Sequence, residues 1–162
     1  MFLCSDVPTG VTLIPVQSNH KSIYFFAQVP GVSLHVMKKK KFSVLLVDDN
    51  VHFLTRMISL LNEVDTISVI HTAHNYDEAV MMLDKKPDLA LLDIQLPGKS
   101  GMDLLKGIKG SATDCAVMML TNCTDEQYRD RCLQLGALCF FDKTSDFERV
   151  PGMINDYARL RE

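Results

Sequence analysis

FSVLLVDDN, residues 42–50, is an apolar run of strand length that ends on two acids, Asp48 and Asp49. A run of four to six apolar residues without alternation is typical of a strand buried on both faces of a parallel sheet. Ligands of such open sheets bind at the carboxyl ends of the strands. The two acids therefore lie where a binding site is expected.

Three later apolar runs also end on a polar residue: LALLD at Asp93, AVMMLT at Thr121 and LCFFDK at Lys143. We predict strands at 43–48, 67–73, 88–93, 115–121 and 138–142. Helical periodicity separates them, as in the stripe that begins with Leu54 and Met57. Short links and right-handed crossovers predict a doubly wound α/β fold with five parallel strands in the order 2-1-3-4-5. That order places carboxylates, a hydroxyl and an ammonium at one edge of the sheet.

Helix boundaries carry their own signals. Asn75–Glu78, Thr124–Gln127 and Ser145–Glu148 each have the pattern of a capping box, in which a side-chain oxygen accepts an unpaired helix N–H. Pro87 and Gly136 mark chain turns before the third and fifth strands. These signals predict that helices begin after the second, fourth and fifth strands.

Composition narrows the classes of protein. The chain has 162 residues, 47% of them hydrophobic, which suits one well-packed domain. Its 17 basic and 20 acidic residues give no sign of nucleic acid or a membrane as a partner. No apolar stretch is long enough to span a membrane. The five cysteines have no C-x-x-C spacing, which favours free thiols and a cytoplasmic protein.

Residues 1–36 do not share this alternation of strand and helix. They contain scattered Pro, Gly, Ser and His with two β-branched or aromatic patches, VTLIPV and SIYFFAQV. Met37 then stands directly before the first strand, as an ordinary protein start would. We interpret 1–36 as an N-terminal extension, for which disorder, an appended hairpin and a misassigned start codon stay open, and 37–162 as the folded domain.

The chain resembles the receiver domain of two-component response regulators, in particular a single-domain receiver similar to the chemotaxis regulator. The matching motifs are VLLVDDN (44–50), LALLDIQLPGKSGMDLL (89–105), MMLTN (118–122) and GALCFFDK (136–143). Together they cover about residues 42–160. The resemblance implies a flavodoxin-like (βα)5 fold and a signal transduction role as a phosphoprotein.

The resemblance also implies a magnesium site. Asp93 matches the phospho-acceptor, Asp49 the acid that binds Mg²⁺ directly, and Asp48 the acid that binds it through water. The backbone carbonyl of Gln95 matches the remaining protein ligand. The chemistry agrees, because a phosphoryl donor adds negative charge to a site with three carboxylates, and oxygen ligands favour Mg²⁺ or, in its place, Mn²⁺.

Three further positions are implied to act in the switch. Thr121 matches the hydroxyl that moves to the phosphoryl group, and Lys143 the ammonium that pairs with it. Phe140 matches the aromatic switch position. Asn122 stands where the family often has a smaller residue, so we expect it to restrict access to Asp93. Thr144 stands where the family often has proline after a cis bond, which leaves the geometry of the 143–144 bond open.

These matches predict a phosphorylation-dependent switch, and not an enzyme beyond its own phosphorylation and dephosphorylation. Its expected partners are a histidine kinase or histidine phosphotransfer protein of a phosphorelay. A downstream protein is expected to bind the surface of the fourth helix, fifth strand and fifth helix, with the chain a monomer or a phosphorylation-dependent dimer. A receiver cut from a longer DNA-binding regulator is the first alternative. A small Mg²⁺-dependent phosphatase is the second, although Gln95 stands where such an enzyme needs an acid.

Overall fold

The computed structural model describes residues 13–18, 21–26, 42–111, 113–123 and 125–161. The chain divides into two compact units, residues 1–39 and 40–162. In the first unit, β1 (Leu13–Ser18) pairs with β2 (Lys21–Phe26) in an antiparallel sheet. Of the alternatives for the extension, the structure therefore contains the hairpin. The other predictions for 1–41 fall outside the described residues.

The second unit contains a five-stranded parallel sheet. Its strands are β3 (Phe42–Val47), β4 (Ile67–Ala73), β5 (Leu89–Leu92), β6 (Ala116–Thr121) and β7 (Cys139–Asp142). The order β4-β3-β5-β6-β7 is the predicted 2-1-3-4-5, and each predicted strand is confirmed to within one residue at either end. The polar residues of the sequence motifs thus lie along one edge, around the point between β3 and β5 where the winding reverses.

In the described part of this unit, four helices connect the strands and a fifth follows the last strand: α1 (Val51–Leu61), α2 (Tyr76–Leu83), α3 (Gly101–Gly110), α4 (Glu126–Gln134) and, after β7, α5 (Val150–Leu160). A 3-10 turn, Phe147–Arg149, precedes the last of them. Among the described residues, no helix combines the length and the apolar character needed to cross a membrane.

The sheet is covered on both faces because its central strands, β3, β5 and β6, are apolar at nearly every position. On β3, Val44 and Leu46 pack with α1 and α5 on one face. Leu45 and Val47 pack with α2, α3 and α4 on the other face. Alternate side chains of a strand point to opposite faces, so an unbroken apolar run can enter two cores at once.

The helix starts match the predictions only in part. At α2 the capping box is confirmed, since the Asn75 side chain accepts from the Glu78 N–H at 2.9 Å and the Glu78 carboxylate accepts from Asn75 Nδ2 at 2.8 Å. At α4 the cap is Asp125, whose carboxylate accepts from the Gln127 N–H at 2.9 Å, and the Thr124 of the predicted box lies outside the described residues. An aspartate one residue later reaches the first helical N–H groups directly.

The predicted box at Ser145 is wrong. The carboxylate of Asp142 accepts the N–H groups of Thr144 at 2.6 Å and Ser145 at 3.1 Å. No side chain caps α5, and Pro151 lies in its first turn. An acid at the end of β7 therefore accepts the Ser145 N–H that the Glu148 side chain was expected to accept.

The helix α4 is the least embedded of the five. Of its nine residues only Cys132 is buried, and that side chain joins the core on the α2, α3 and α4 face. By contrast α3 buries Gly101, Leu104, Leu105 and Ile108. One thiol thus anchors α4 in the core.

Candidate functional site

Two acids stand directly after neighbouring strands. The N–H of Asp48 donates to the Ala73 carbonyl at 3.0 Å, and the N–H of Asp93 donates to the Val47 carbonyl at 3.0 Å. These bonds continue the sheet ladder past the last residues of β3 and β5. The positions of both carboxylates are consequently set by the backbone of the sheet.

Three carboxylates meet at this edge. Asp48, Asp49 and Asp93 each offer an oxygen, and these oxygens lie within 4.8 Å of one another. Asp48 is 2% exposed and Asp93 6% exposed, whereas Asp49 is exposed. The site is therefore an acidic pocket with two walls inside the protein and one open to solvent.

A single ammonium bridges the two buried acids. Nζ of Lys143 lies 2.6 Å from Oδ2 of Asp48 and 2.6 Å from Oδ2 of Asp93, and the lysine side chain is 8% exposed. The backbone N–H of Lys143 donates to the Thr121 carbonyl at 3.0 Å, which fixes the start of the loop after β7. Lys143, predicted from a position 50 residues beyond Asp93, is thus brought into direct contact with it.

The pocket keeps an excess of negative charge. Three carboxylates surround one ammonium, and burial raises the pKa of the Asp48 carboxyl although hydrogen bonds from Lys143 and the Asn50 N–H oppose that rise. Oδ1 of Asp93 is buried and has no hydrogen-bond partner among the described residues. A buried carboxylate oxygen without a partner is costly. A divalent cation with oxygen ligands fits this set, because it would offset the excess charge of the three carboxylates.

The other predicted positions lie around the pocket. Thr121 is fully buried at the end of β6, where its hydroxyl accepts from the Cys123 N–H at 3.2 Å. Asn122 follows it and is exposed, and Gln95 is exposed two residues after Asp93. Phe140 is half-buried on β7 and packs against the core beside α2, α3 and α4. The structure brings these residues to the predicted edge, and their roles stay predictions.

Sequence reasoning missed a glycine that touches the site. A Cβ on Gly101 would lie 1.8 Å from the carbonyl oxygen of Asp93. The Gly101 N–H also donates to the Ile94 carbonyl at 2.9 Å, which closes the loop after β5. The glycine is part of the motif LPGKSG, but only the folded loop shows why a side chain is excluded there.

A second missed feature is the acid beside Lys143. The 143–144 peptide bond is trans, and the Thr144 N–H donates to the Asp142 carboxylate. Proline would lack that donor. Asp142 thus orders the loop by a hydrogen bond at the place where the family often uses a proline ring.

The third missed residue is Phe53, on α1. Its ring centroid lies 4.8 Å from Nζ of Lys143. Phe53 follows Asp49 by four residues, which is about one helical turn. That spacing could have indicated from the sequence that its ring lies near the acids.

Comparison with known proteins gives the family. The family model for the response regulator receiver domain matches residues 44–155, more than half of the chain. The sensory transduction protein LytT of Bacillus subtilis is 30% identical over 118 residues, which are 72% of this chain and 48% of LytT. A protein-glutamate methylesterase/protein-glutamine glutaminase of Clostridium acetobutylicum is 33% identical over 107 residues, 64% of this chain and 31% of that protein.

A solved structure agrees with the sequence relatives. The CheX-CheY-BeF3-Mg²⁺ complex from Borrelia burgdorferi matches with a TM-score of 0.60 and 28% identity, over 70% of this chain and 89% of that chain. This chain spans about half the length, or less, of the curated relatives it matches. The order of the strands, the acidic pocket and the family match together show that this chain belongs to the response regulator receiver domain family.

Proposed function

We propose that this chain is a signalling switch that accepts a phosphoryl group on Asp93 from a histidine kinase or a histidine phosphotransfer protein. The observation that carries the proposal is Oδ1 of Asp93, a buried carboxylate oxygen without a hydrogen-bond partner among the described residues. Its other oxygen is occupied by Lys143 at 2.6 Å. One oxygen is therefore held by a cation while the other stays available to form a bond.

Asp48, Asp49, Asp93 and the backbone carbonyl of Gln95 would hold Mg²⁺, or Mn²⁺ in its place. The three carboxylate oxygens within 4.8 Å support this assignment, since hard oxygen ligands suit both ions. When bound, the ion supplies positive charge against the oxygens of the incoming phosphoryl group.

In the proposed reaction Oδ1 of Asp93 forms a bond to phosphorus while the bond from phosphorus to the donor nitrogen breaks. Lys143 neutralises charge on the transferred oxygens, and its two carboxylate contacts show that it already reaches the reacting acid. Thr121 donates a hydrogen bond from its hydroxyl to an oxygen of the phosphoryl group. That contact exists only in the phosphorylated state, which gives the protein two states of different energy.

The output is proposed to be a protein contact. Phe140 would change its packing when Thr121 moves to the phosphoryl group, and thereby alter the surface of α4, β7 and α5. The adjacency of β6 and β7, with Met119 opposite Phe140 and Thr121 opposite Asp142, supports a short path between them. A downstream protein would bind the altered surface.

The test is intact mass after incubation with phosphoramidate and Mg²⁺. The parent chain should gain one phosphoryl group, and Asp93→Asn should gain none. Asp77→Asn, a change at an exposed acid of α2, is the matched control and should behave like the parent. Retention of the added mass in Asp93→Asn would overturn the assignment.

A second candidate is the receiver part of a longer regulator. The matched relatives favour it, because they extend well beyond the shared region and include a methylesterase. DNA binding or catalysis would then belong to the other part of the protein. The rate of phosphate release distinguishes the switch from a phosphatase of small substrates. The switch should release no more than one phosphate per chain in each slow cycle of its own phosphorylation, whereas a phosphatase should turn over many substrate molecules rapidly.

We also propose that residues 37–162 fold as the receiver domain without residues 1–36. All five strands of the parallel sheet and their covering helices lie within 42–160, which supports this boundary. A chain that begins at Met37 should melt and accept phosphoryl groups like the full chain. A large loss of thermal stability would contradict the proposal.

A further inference from the structure

We propose that Phe53 is a positioning residue for Lys143, holding the ammonium on one oxygen of Asp93 so that the other remains open. The inference rests on the proposed function, because it concerns the reactivity of Asp93. Phe53 lies in the first turn of α1, and the resemblance to receiver domains assigned it no part in the site.

The first step is the contact itself. Nζ of Lys143 lies over the Phe53 ring at 4.8 Å from its centroid. The face of an aromatic ring carries negative charge density and attracts a cation within about 6 Å. The lysine side chain is 8% exposed, so little water competes for the ammonium. The ring is therefore an electrostatic partner of Lys143 as well as an apolar neighbour.

The second step is what holds the ring. Phe53 and Phe147 form an edge-to-face pair with centroids 5.5 Å apart and an interplanar angle of 72°. Phe147 is 7% exposed, and the guanidinium of Arg56 lies 4.5 Å from its ring centroid. Lys143 and Phe147 belong to the same loop, so that loop contacts the Phe53 ring at two points four residues apart. The ring cannot move without disturbing this packing.

The third step is the chemical consequence. Lys143 has a long flexible side chain, and two carboxylates compete for it. In the structure it takes Oδ2 of both Asp48 and Asp93, while Oδ1 of Asp93 has no hydrogen bond. With the ring as a third partner, the ammonium is kept at one oxygen of Asp93. Without the ring it gains freedom to move toward the oxygen that must react.

The alternative interpretation is that Phe53 only fills the core beside α1. The chain offers a matched control for it, because Phe42 packs in the same core and makes an edge-to-face pair with Tyr157 at 6.2 Å and 71°. Phe42 begins β3, at the amino edge of the sheet, whereas Lys143 follows the carboxyl end of β7. Loss of either aromatic ring should weaken packing, but only loss of Phe53 should reach Lys143.

The test compares Phe53→Leu, Phe53→Tyr and Phe42→Leu in the full chain, below the melting temperature of each. The first readout is the NMR shift of the Lys143 Cε protons in the unphosphorylated protein. Ring current should move these protons upfield in the parent, in Phe53→Tyr and in Phe42→Leu, and the displacement should vanish in Phe53→Leu. The second readout is the phosphorylation rate with phosphoramidate at saturating Mg²⁺. We expect it to fall about threefold to tenfold in Phe53→Leu and to be restored in Phe53→Tyr.

Two results would overturn the inference: an unchanged Lys143 shift in Phe53→Leu, or a rate loss in Phe42→Leu as large as that in Phe53→Leu. Failure of the proposed function is seen separately, as phosphoryl mass retained by Asp93→Asn. Because the NMR shift is measured before any phosphorylation, it tests the contact in either case.

Discussion

Replacing Gly101 by alanine should displace the reactive acid. The new Cβ would lie 1.8 Å from the Asp93 carbonyl oxygen and 2.8 Å from its carbonyl carbon, whereas real Cβ contacts below 3.0 Å are essentially never found. The atoms must separate by more than about 1 Å. Both neighbours are backbone, so no side chain can rotate away. The loop after β5, or the start of α3, has to move instead.

The cost can be estimated from two terms. Overpacking of a rigid site lowers the free energy of unfolding by about 3 kcal/mol or more. Alanine regains up to about 1 kcal/mol through its higher helix propensity, but that gain is small at the first position of a helix. We therefore expect Gly101→Ala to lower the melting temperature by about 10 °C. Phosphorylation of Asp93 should slow as well, since its backbone is the group displaced.

Gly107 on the same helix is the matched control. A Cβ there meets nothing within 4 Å, so Gly107→Ala should raise the free energy of unfolding by about 0.5–1 kcal/mol. The assay is differential scanning fluorimetry of both variants with the parent, followed by the phosphoramidate rate. If Gly101→Ala melts with Gly107→Ala, the close approach of α3 to Asp93 is not a constraint on the protein.

Four further predictions concern single contacts. Lys143→Met should lower the free energy of unfolding in metal-free buffer by about 3 kcal/mol, because two buried carboxylates lose their ammonium partner. Urea denaturation measures this change, and a loss below about 1 kcal/mol would contradict the prediction. Asn75→Ala should cost about 1 kcal/mol in the same assay by removing the cap of α2. Asn122→Ala should speed phosphate loss at saturating Mg²⁺, where a tenfold change corresponds to about 1.4 kcal/mol in the barrier, and an unchanged or slower rate would show that Asn122 does not obstruct the path. Burial raises the pKa of the Cys115 and Cys139 thiols from 9.0 to about 11. The free energy of unfolding should therefore fall as the pH rises from about 9 to about 11. Urea denaturation at pH 8 to 11 measures this fall, which should be smaller in the double variant Cys115→Ala with Cys139→Ala.

The sequence predicted the sheet because most of its strands are nearly unbroken apolar runs. Runs such as LALL have one stable place, between two layers of helices, and their order follows from short right-handed links. The position of the site, at the carboxyl edge of the sheet, followed from the ends of the predicted strands. Once the strand ends were known, Asp48, Asp93 and Lys143 had to lie near one another, and the structure brings them within hydrogen-bond distance.

What the sequence did not predict depends on packing between distant segments. Phe53 meets Lys143 because α1 and the loop after β7 share one face of the sheet, although 90 residues separate them. Gly101 is restricted by a carbonyl of another segment, which no local pattern encodes. The box predicted at Ser145 is wrong for a different reason, since the nearby acid Asp142 accepts the N–H groups of Thr144 and Ser145.

The single buried thiol that anchors α4 has a consequence for the local opening of the protein. Detaching this helix would bare little apolar surface, so its opening free energy lies far below that of global unfolding. The amide hydrogens of α4 should therefore exchange with deuterium faster than those of α3, which buries four residues along its length. A region that opens so easily can be remodelled by a modest change in energy, while the sheet that carries Asp93 stays intact.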